Sequence, residues 1–289
     1  MSEITLQNIS YFHGKDTPYE IKALDDINSK IEHGKITGII GHTGSGKSTL
    51  IQLFNGILKP YEGKVLLDGR DIWEKSKEAK KEARNICFRV GLVMQYPEYQ
   101  LFEETIYKDI AYGPQNMKLS KEEIDERVKE AVEFVGLEKE LLDKSPFDLS
   151  GGQKRRAAIA GIIAMRPDVL VLDEPAAGLD PRGKTSIFEN IRNYREKSGN
   201  TVVIVSHSME DMAKYCDRLI VLANGKIVLE GDSREIFSSA KKLEEVGLDI
   251  PQITKLMLLL KERGIDVDPA VYTVEEALEQ IIKLYKDIG

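Results

Sequence analysis

The chain has 289 residues, of which 42% are hydrophobic and 31% are charged, so it can bury a core beneath a charged surface. Its 48 acidic residues outnumber the 41 basic ones and give a net charge of −7, which argues against broad nucleic-acid binding. The longest apolar runs fall far short of the roughly 18 residues that span a bilayer, and no signal peptide is visible at the start. We therefore expect a soluble, cytosolic protein.

Short strands are predicted in the first seventy residues, over residues 4–9, 21–31, 35–40 and 64–67, because apolar residues lie there between turn signals. Residues 35–40 run directly into a glycine-rich turn and then into a helical pattern. From about residue 73 to residue 166 the pattern becomes helical and polar. Within that region Ser120 and Glu123 form a capping box, and Gly136 marks the predicted end of the helix.

Strands return after Pro167. Residues 169–172 and 202–205 are continuous β-branched or leucine runs, which are typical of parallel strands buried on both faces. Asn224-Gly225 predicts a tight hairpin, and the chain from about residue 234 onward reads as helical. A strand, a glycine-rich loop and a helix, followed by a helical insertion and more buried strands, predict an α/β fold with a helical subdomain.

A glycine-rich segment matches G-x-x-x-x-G-K-[ST] and lies between a predicted strand and a predicted helix, as that motif requires. Its members are Gly41, His42, Thr43, Gly44, Ser45, Gly46, Lys47 and Ser48, and Thr49 follows them. We name residues 41–48 the phosphate loop, because its glycines let backbone N–H groups turn toward phosphate oxygens at a helix N-terminus. Lys47 is predicted to lie between the β- and γ-phosphates, and Ser48 to offer its hydroxyl to Mg²⁺.

Two adjacent acids, Asp173 and Glu174, follow an unbroken apolar run. This position puts them at the carboxyl edge of a parallel sheet, where open α/β sheets bind ligands. Asp173 is the predicted partner of Mg²⁺, and Glu174 is the predicted group that polarises an attacking water. Because two neighbouring carboxylates disfavour each other's ionised forms, we expect a bound cation close to them.

A second possible anion site begins a predicted helix rich in small residues. Its residues, the signature segment, are Leu149, Ser150, Gly151, Gly152 and Gln153. A Ser-Gly-Gly helix start exposes backbone donors and a positive dipole end to an anion. One chain rarely needs two phosphate sites for one nucleotide, so the second site is explained if it meets the nucleotide held by another chain.

At this point the sequence resembles the ATP-binding cassette (ABC) ATPases of ABC transporters over about residues 3–235. The phosphate loop, the signature segment, residues 169–175, residues 177–180 and Ser206-His207 occur in that family's order. The resemblance implies an α/β P-loop NTPase with a RecA-like core, an antiparallel β subdomain and a helical subdomain at about residues 96–166. It implies a cassette over residues 1–235 and a short C-terminal helical extension over residues 236–289.

The same resemblance implies ATP and Mg²⁺ as ligands and a head-to-tail dimer that encloses two ATPs. Each site would combine Lys47 of one chain with the signature segment of the other. Gln95 would sense Mg²⁺ and the attacking water, His207 would contact the γ-phosphate, and Asp180 would cross the dimer interface.

The residue that stacks on adenine has two candidates. Family members place an aromatic residue near the third position after an Asn-hydrophobic-Ser motif, and residues 8–10 read Asn-Ile-Ser. Strict spacing puts His13 at the stacking position, whereas Tyr11 serves if the loop is shifted. Stacking of a base on an aromatic ring is worth about 1–3 kcal/mol, and an imidazole offers a smaller face, so His13 departs from the usual pattern.

A finer resemblance is to the ATPases of energy-coupling factor (ECF) transporters, and more to the second of the two than to the first. It rests on residues 91–114, on residues 208–211, on an insertion at residues 14–20 and on the C-terminal extension. It implies a homologous ATPase partner in a heterodimer, with a homodimer as the alternative. It also implies a membrane T-component, a substrate-binding S-component and a peripheral location on the cytoplasmic face of the cell membrane.

Two segments have open interpretations. The loop after Gln95 contains Tyr96, Pro97, Tyr99, Leu101 and Phe102, which either receive short helices of the T-component or form a local core. The C-terminal helices either pack on their own domain or add to the contact between the two ATPases, and the resemblance favours the second interpretation.

Other functions remain as alternatives. The chain could power another class of ABC transporter, or bind ATP as a gate without turnover, although Glu174, His207 and the signature segment are intact. A nucleic-acid-acting ABC ATPase is the least favoured alternative. Such ATPases would need long heptad insertions or usually two cassettes in one chain, and this sequence shows neither; its net charge is also negative. We therefore expect no nucleic-acid partner.

Overall fold

Ten strands form two sheets in the computed structural model, which describes residues 2–74 and 85–288, with side chains to residue 284. They are β1 (Ile4–His13), β2 (Ile21–Ile31), β3 (Ile36–Ile40), β4 (Glu62–Leu67), β5 (Arg70–Asp71), β6 (Val90–Val93), β7 (Val169–Asp173), β8 (Thr201–Val205), β9 (Arg218–Ala223) and β10 (Lys226–Gly231). The smaller sheet is antiparallel, with strand order β2-β1-β4-β5. The larger sheet has the order β10-β9-β3-β8-β7-β6.

The larger sheet is parallel from β9 to β6, and β10 joins its edge as the antiparallel arm of a hairpin. Strands β3, β6, β7 and β8 are buried along their whole length. For β7 and β8, the continuous apolar sequences predict this burial. The hairpin turns at Asn224 and Gly225, whose φ angles of 49° and 73° are those of a two-residue turn with both residues in the left-handed region.

Strand β6 corrects the prediction that residues 73–166 are helical. Only four residues form it, and a run buried on both faces has no alternation that periodicity could detect. Gly91 lies within it because a Cβ there would come 2.7 Å from Ile162 Cγ2 and 3.0 Å from Pro167 Cγ. Residues 75–84 of the same predicted region lie outside the described residues.

Helices surround the larger sheet and fill the segment between β6 and β7. Those described are Lys47–Phe54, Ile86–Arg89, Ile106–Asn116, Lys121–Val135, Gly151–Ile163, Pro181–Ser198, Met209–Tyr215, Ser233–Ser238, Ala240–Glu245, Gln252–Glu262 and Val274–Ile288. The predicted helix start at Ser120 is confirmed, since its hydroxyl accepts from Glu123 N, and Gly136 ends that helix with φ 64°. The Glu123 carboxylate does not complete the capping box, because it pairs with Arg127.

The apolar core lies in two layers, one on each face of the larger sheet. Along β7, Val169 and Val171 face the layer shared with the smaller sheet, whereas Leu170 and Leu172 face the layer shared with the helices. The period of two along a strand produces this division. The carboxyl ends of the central strands therefore open between the two layers, where a site can form.

The C-terminal segment packs on its own chain. Leu243, Leu248 and Ile250, which lie beyond the predicted boundary at residue 235, are buried in the same layer as the inserted helices. Beyond them Met257, Val271 and their neighbours form a small separate cluster. No helix among the described residues has both the length and the apolar character needed to cross a membrane.

Candidate functional site

The phosphate loop connects β3 to the helix Lys47–Phe54, as the motif predicts. Gly44 and Gly46 have φ angles of 81° and 105°, which L side chains rarely adopt. A Cβ at Gly46 would also lie 2.6 Å from the Ala23 carbonyl oxygen, so only glycine fits where the loop packs beside β2. The loop therefore leaves its backbone N–H groups at a helix N-terminus, where an anion is favoured.

Lys47 points back over this loop. Its Nζ donates to the carbonyl oxygens of Gly41, at 2.7 Å, and His42, at 2.9 Å. Burial lowers the pKa of Lys47, and the carboxylates of Glu174 and Asp173 act in the opposite direction. A half-buried ammonium of this kind can donate hydrogen bonds to a phosphate group that binds on the loop.

Ser48 and Asp173 lie together, as predicted for a Mg²⁺ site. Ser48 Oγ donates to Asp173 Oδ2 at 3.4 Å, and Gln95 lines the same cleft. Burial first, and then the neighbouring Glu174, raise the pKa of the Asp173 carboxyl. The described residues contain no cluster of three His, Cys, Asp or Glu ligands, but Mg²⁺ normally takes only one or two carboxylates and completes its shell with water and phosphate. A hydroxyl, an amide and a carboxylate destabilised by its surroundings therefore fit this ion.

Asp173→Asn is expected to raise the melting temperature of the nucleotide-free protein by about 2 °C at pH 7. The raised pKa means that the ionised Asp173 carboxylate lowers the free energy of unfolding. This destabilisation is fully present above the folded-state pKa of Asp173, and it disappears as the pH falls below the pKa that Asp173 has in the unfolded chain. Thermal unfolding measured at several pH values should therefore show that the difference in melting temperature between variant and parent becomes smaller as the pH falls. A lower melting temperature for the nucleotide-free variant at pH 7 would contradict the argument.

Glu174 is held on several sides. It follows β7 directly and has φ 49°, a strained value for a residue with a side chain. Its backbone N donates to the Val205 carbonyl at 2.9 Å, which ties it to the end of β8. Ser206 Oγ donates to Oε2 at 3.2 Å, and His207 Nδ1 lies 2.8 Å from Oε1. The predicted base and the predicted γ-phosphate contact are thus hydrogen-bonded to each other, while Ser206 is a partner for which the sequence predicted no role.

One open cleft of about 1060 Å³ is lined by the predicted site residues Lys47, Ser48, Gln95, Asp173, Glu174 and His207. His13 is part of its wall and shares a 3.1 Å hydrogen bond between Nε2 and Thr49 Oγ1. Tyr11, the alternative adenine contact, packs instead against the core layer beneath the smaller sheet, with its ring 5.1 Å from that of His13. The cleft also includes Gly247, Leu248 and Asp249 of the C-terminal segment, which no motif predicted.

The signature segment is not among the described residues that line this cleft. Ser150 caps the helix Gly151–Ile163 in a capping box, with Ser150 N donating to Gln153 Oε1 at 2.9 Å and Gln153 N donating to Ser150 Oγ at 3.4 Å. Asp180 caps the helix Pro181–Ser198 by accepting from Gly183 N at 2.8 Å, and its side chain is exposed. Neither helix start is thus among the described residues that line the cleft of the chain's own phosphate loop.

Comparison with known proteins shows the family of this chain. Residues 24–177 match the family described as ABC transporter. The chain is 55% identical over 280 residues to the energy-coupling factor transporter ATP-binding protein EcfA2 of Caldanaerobacter subterraneus subsp. tengcongensis, with 97% of this chain and 96% of that protein covered.

Two solved structures are also similar. One is cbiO1 of Clostridium perfringens, part of the ABC transporter complex cbiONQ, with a TM-score of 0.73 and 38% identity over 88% of this chain and 98% of that chain. The other is the dimeric ATP-binding cassette MJ0796 bound to ADP and Pi, with a TM-score of 0.69 and 29% identity over 79% of this chain and 98% of that chain. The predicted ABC ATPase fold is confirmed. The chain belongs to the ABC transporter family and, within it, to the ATP-binding proteins of energy-coupling factor transporters, so it is an ATP-binding and ATP-hydrolysing subunit.

Proposed function

We propose that this ATPase powers the uptake of a vitamin or a transition-metal ion through a membrane T-component and a substrate-binding S-component, from the cytoplasmic face of the cell membrane. The observation that carries the proposal is the meeting of Lys47, Ser48, Asp173, Glu174 and His207 in one cleft, in a chain similar over nearly its whole length to an energy-coupling factor ATPase. The cassette of residues 1–235 and the extension of residues 236–289 remain our proposed division of the chain.

In this proposal ATP binds with its phosphates on the backbone of the phosphate loop and with Lys47 between the β- and γ-phosphates. Ser48, Asp173 and Gln95 would hold Mg²⁺, which neutralises charge on the phosphates when bound. His13 is the proposed adenine contact, because it lines the cleft whereas Tyr11 packs against the core beneath the smaller sheet. Its bond to Thr49 ties the imidazole to the helix that follows the phosphate loop.

Glu174 is the proposed general base for the attacking water. Its two carboxylate oxygens are oriented by Ser206 and His207, and its backbone is tied to β8, so the proton acceptor has a fixed direction. The Nδ1 of His207 is engaged by Glu174, which leaves Nε2 as the atom that can contact the γ-phosphate. Lys47 and His207 would then stabilise charge on the transferred phosphoryl group.

The signature segment and Asp180 are proposed to serve the nucleotide of a second ATPase. Ser150, Gly151 and Asp180 are exposed at two helix starts that lie apart from the chain's own cleft. We propose a head-to-tail dimer with a homologous ATPase, a heterodimer rather than a homodimer. The dimeric cassette noted above has a similar fold.

The loop after Gln95 is the proposed contact with the T-component. Pro97 is buried and Leu101 packs against the core, which supports a local packing role for these two residues. Tyr99 and Phe102, in contrast, are 84% and 64% exposed. Exposed aromatic side chains on one loop are a typical feature of a surface that receives a partner helix.

Co-purification tests this function. The tagged chain, extracted in detergent from its native host, is expected to retain a homologous ATPase and a T-type membrane protein. Replacing both Tyr99 and Phe102 by Ala should reduce recovery of the membrane protein at least about tenfold but leave the ATPase partner bound. Tyr19→Ala is a matched control, because Tyr19 is an aromatic residue that is 85% exposed on a different loop, the one between β1 and β2. Recovery of no membrane protein would overturn the proposal, and a membrane protein of another kind would support the alternative of another ABC transporter class.

A further inference from the structure

Arg155 lies at a junction that no predicted role explains. It belongs to the helix Gly151–Ile163, two residues after the signature segment, and only 5% of it is exposed. In the sequence it stands in a Lys-Arg-Arg run, which is typical of a solvated helix face. A guanidinium is among the most costly groups to bury, so its position calls for a partner.

Its partners are backbone carbonyls of the turn that follows β7 and contains Glu174. Nη2 donates to the Glu174 carbonyl at 2.8 Å, and Nη1 donates to the Ala177 carbonyl. The Glu174 carbonyl also accepts from Ala177 N at 3.1 Å, which closes the turn that follows β7. Because Glu174 is in the left-handed region, this turn needs external support to keep its geometry.

A second group faces Arg155 from the loop after Gln95. The 3₁₀ turn Pro97–Gln100 packs against the helix that carries Arg155. Burial lowers the pKa of the Arg155 guanidinium, and the negative charge of Glu98 opposes this effect. Glu98 Oε2 and Arg155 Nε are both buried without a hydrogen-bond partner among the described atoms. These two polar atoms are chemically complementary and lie on elements that pack against each other, and leaving both unpaired is costly unless another state of the protein pairs them.

We propose that Arg155 is a positioning residue that holds the Glu174 turn and that Glu98 is its movable counter-ion. Glu98 lies on the turn whose Tyr99 is exposed, so a partner pressing on that surface would change the Glu98–Arg155 interaction and, through it, the backbone of Glu174. This inference rests on the proposed function, because it takes Glu174 as the general base.

The test compares steady-state ATP hydrolysis by full-length variants purified with their partners. Arg155→Met keeps an apolar stem but removes all donors, and we expect its kcat to fall about 10- to 100-fold with KM for ATP within about threefold. Arg155→Lys keeps the charge but lacks the fork that reaches two carbonyls, so it should restore kcat only in part. As a single variant, Glu98→Gln should lower kcat. In the double variant it should add little to the effect of Arg155→Met, because both substitutions act through one contact.

Arg127→Met is the matched control. Arg127 is also largely buried, donates to the Met165 carbonyl at 3.2 Å and has a buried Nε without a partner among the described atoms. Its side-chain hydrogen bonds go to Met165 and Glu123 and not to the turn after β7. It should lower the melting temperature and leave kcat within about twofold. Equal kcat values for Arg155→Met and Arg127→Met, or strict additivity of Glu98→Gln with Arg155→Met, would overturn the inference.

Glu174→Gln, measured in the same assay, distinguishes a failure of the proposed base from a failure of the inference about Arg155. If it retains turnover, the assignment of the base is wrong and the inference about Arg155 falls with it. If it abolishes turnover while Arg155→Met does not reduce it, only the inference fails.

Discussion

Glu174→Gln is expected to lower kcat for ATP hydrolysis by about 10²- to 10⁴-fold and to leave the affinity for ATP within about threefold. The amide has nearly the same shape as the carboxylate and can still accept from Ser206, so the turn after β7 should keep its geometry. It cannot take a proton from water, however, and the loss should therefore fall on the chemical step. Steady-state hydrolysis and equilibrium binding of a fluorescent ATP analogue measure the two quantities separately.

Asp249→Asn provides the control for this variant. Asp249 is an exposed acid that lines the same cleft and pairs with Lys255, but it makes no contact with the phosphate loop or with Glu174 among the described interactions. Its turnover should stay within about threefold of the parent. A Glu174→Gln enzyme with more than about one tenth of the parental kcat would contradict the role of base, and equal losses in both variants would point to a general effect of charge in the cleft.

The parts of the site that the sequence predicted are those whose chemistry is local. The phosphate loop needs glycines and a lysine in a fixed order between a strand and a helix, and all of these are adjacent in the chain. Asp173 follows an apolar run, so its place at the carboxyl edge of the sheet could be inferred from burial alone. Such residues are positioned by their own strand or helix, and the structure has them where they were expected.

Other parts depend on contacts between distant segments. Arg155 has the neighbours of a surface residue in the sequence, but it is buried where the turn after β7 and the turn Pro97–Gln100 approach its helix. The segment Gly247–Asp249 reaches the cleft because Leu248 and Ile250 are buried on the cassette, which no local pattern specifies. Strand β6 was missed for a related reason, since four residues buried on both faces have no periodicity.

Lys47→Met is expected to weaken ATP binding by about 10²- to 10³-fold, because it leaves the phosphates without their charged partner in a partly buried site. Nζ donates to the carbonyls of Gly41 and His42, so the chain itself holds the ammonium over the phosphate loop. Burial lowers the pKa of Lys47, which means that the cation is poorly solvated and gains more from a phosphate than an exposed lysine would. Titration with a fluorescent ATP analogue measures the change in Kd.

Lys22→Met tests whether any lysine in the cleft would have this effect. Lys22 lines the same cleft, but its side chain is more exposed and pairs with Asp25 outside the phosphate loop. Because solvent screens an exposed charge, its removal should change the Kd for ATP by less than about threefold. Comparable weakening by the two variants would mean that the cleft attracts ATP by its summed charge, and Lys47 would then lose its special place between the β- and γ-phosphates. A large loss for Lys47→Met alone would support a site in which one preorganised ammonium supplies most of the attraction.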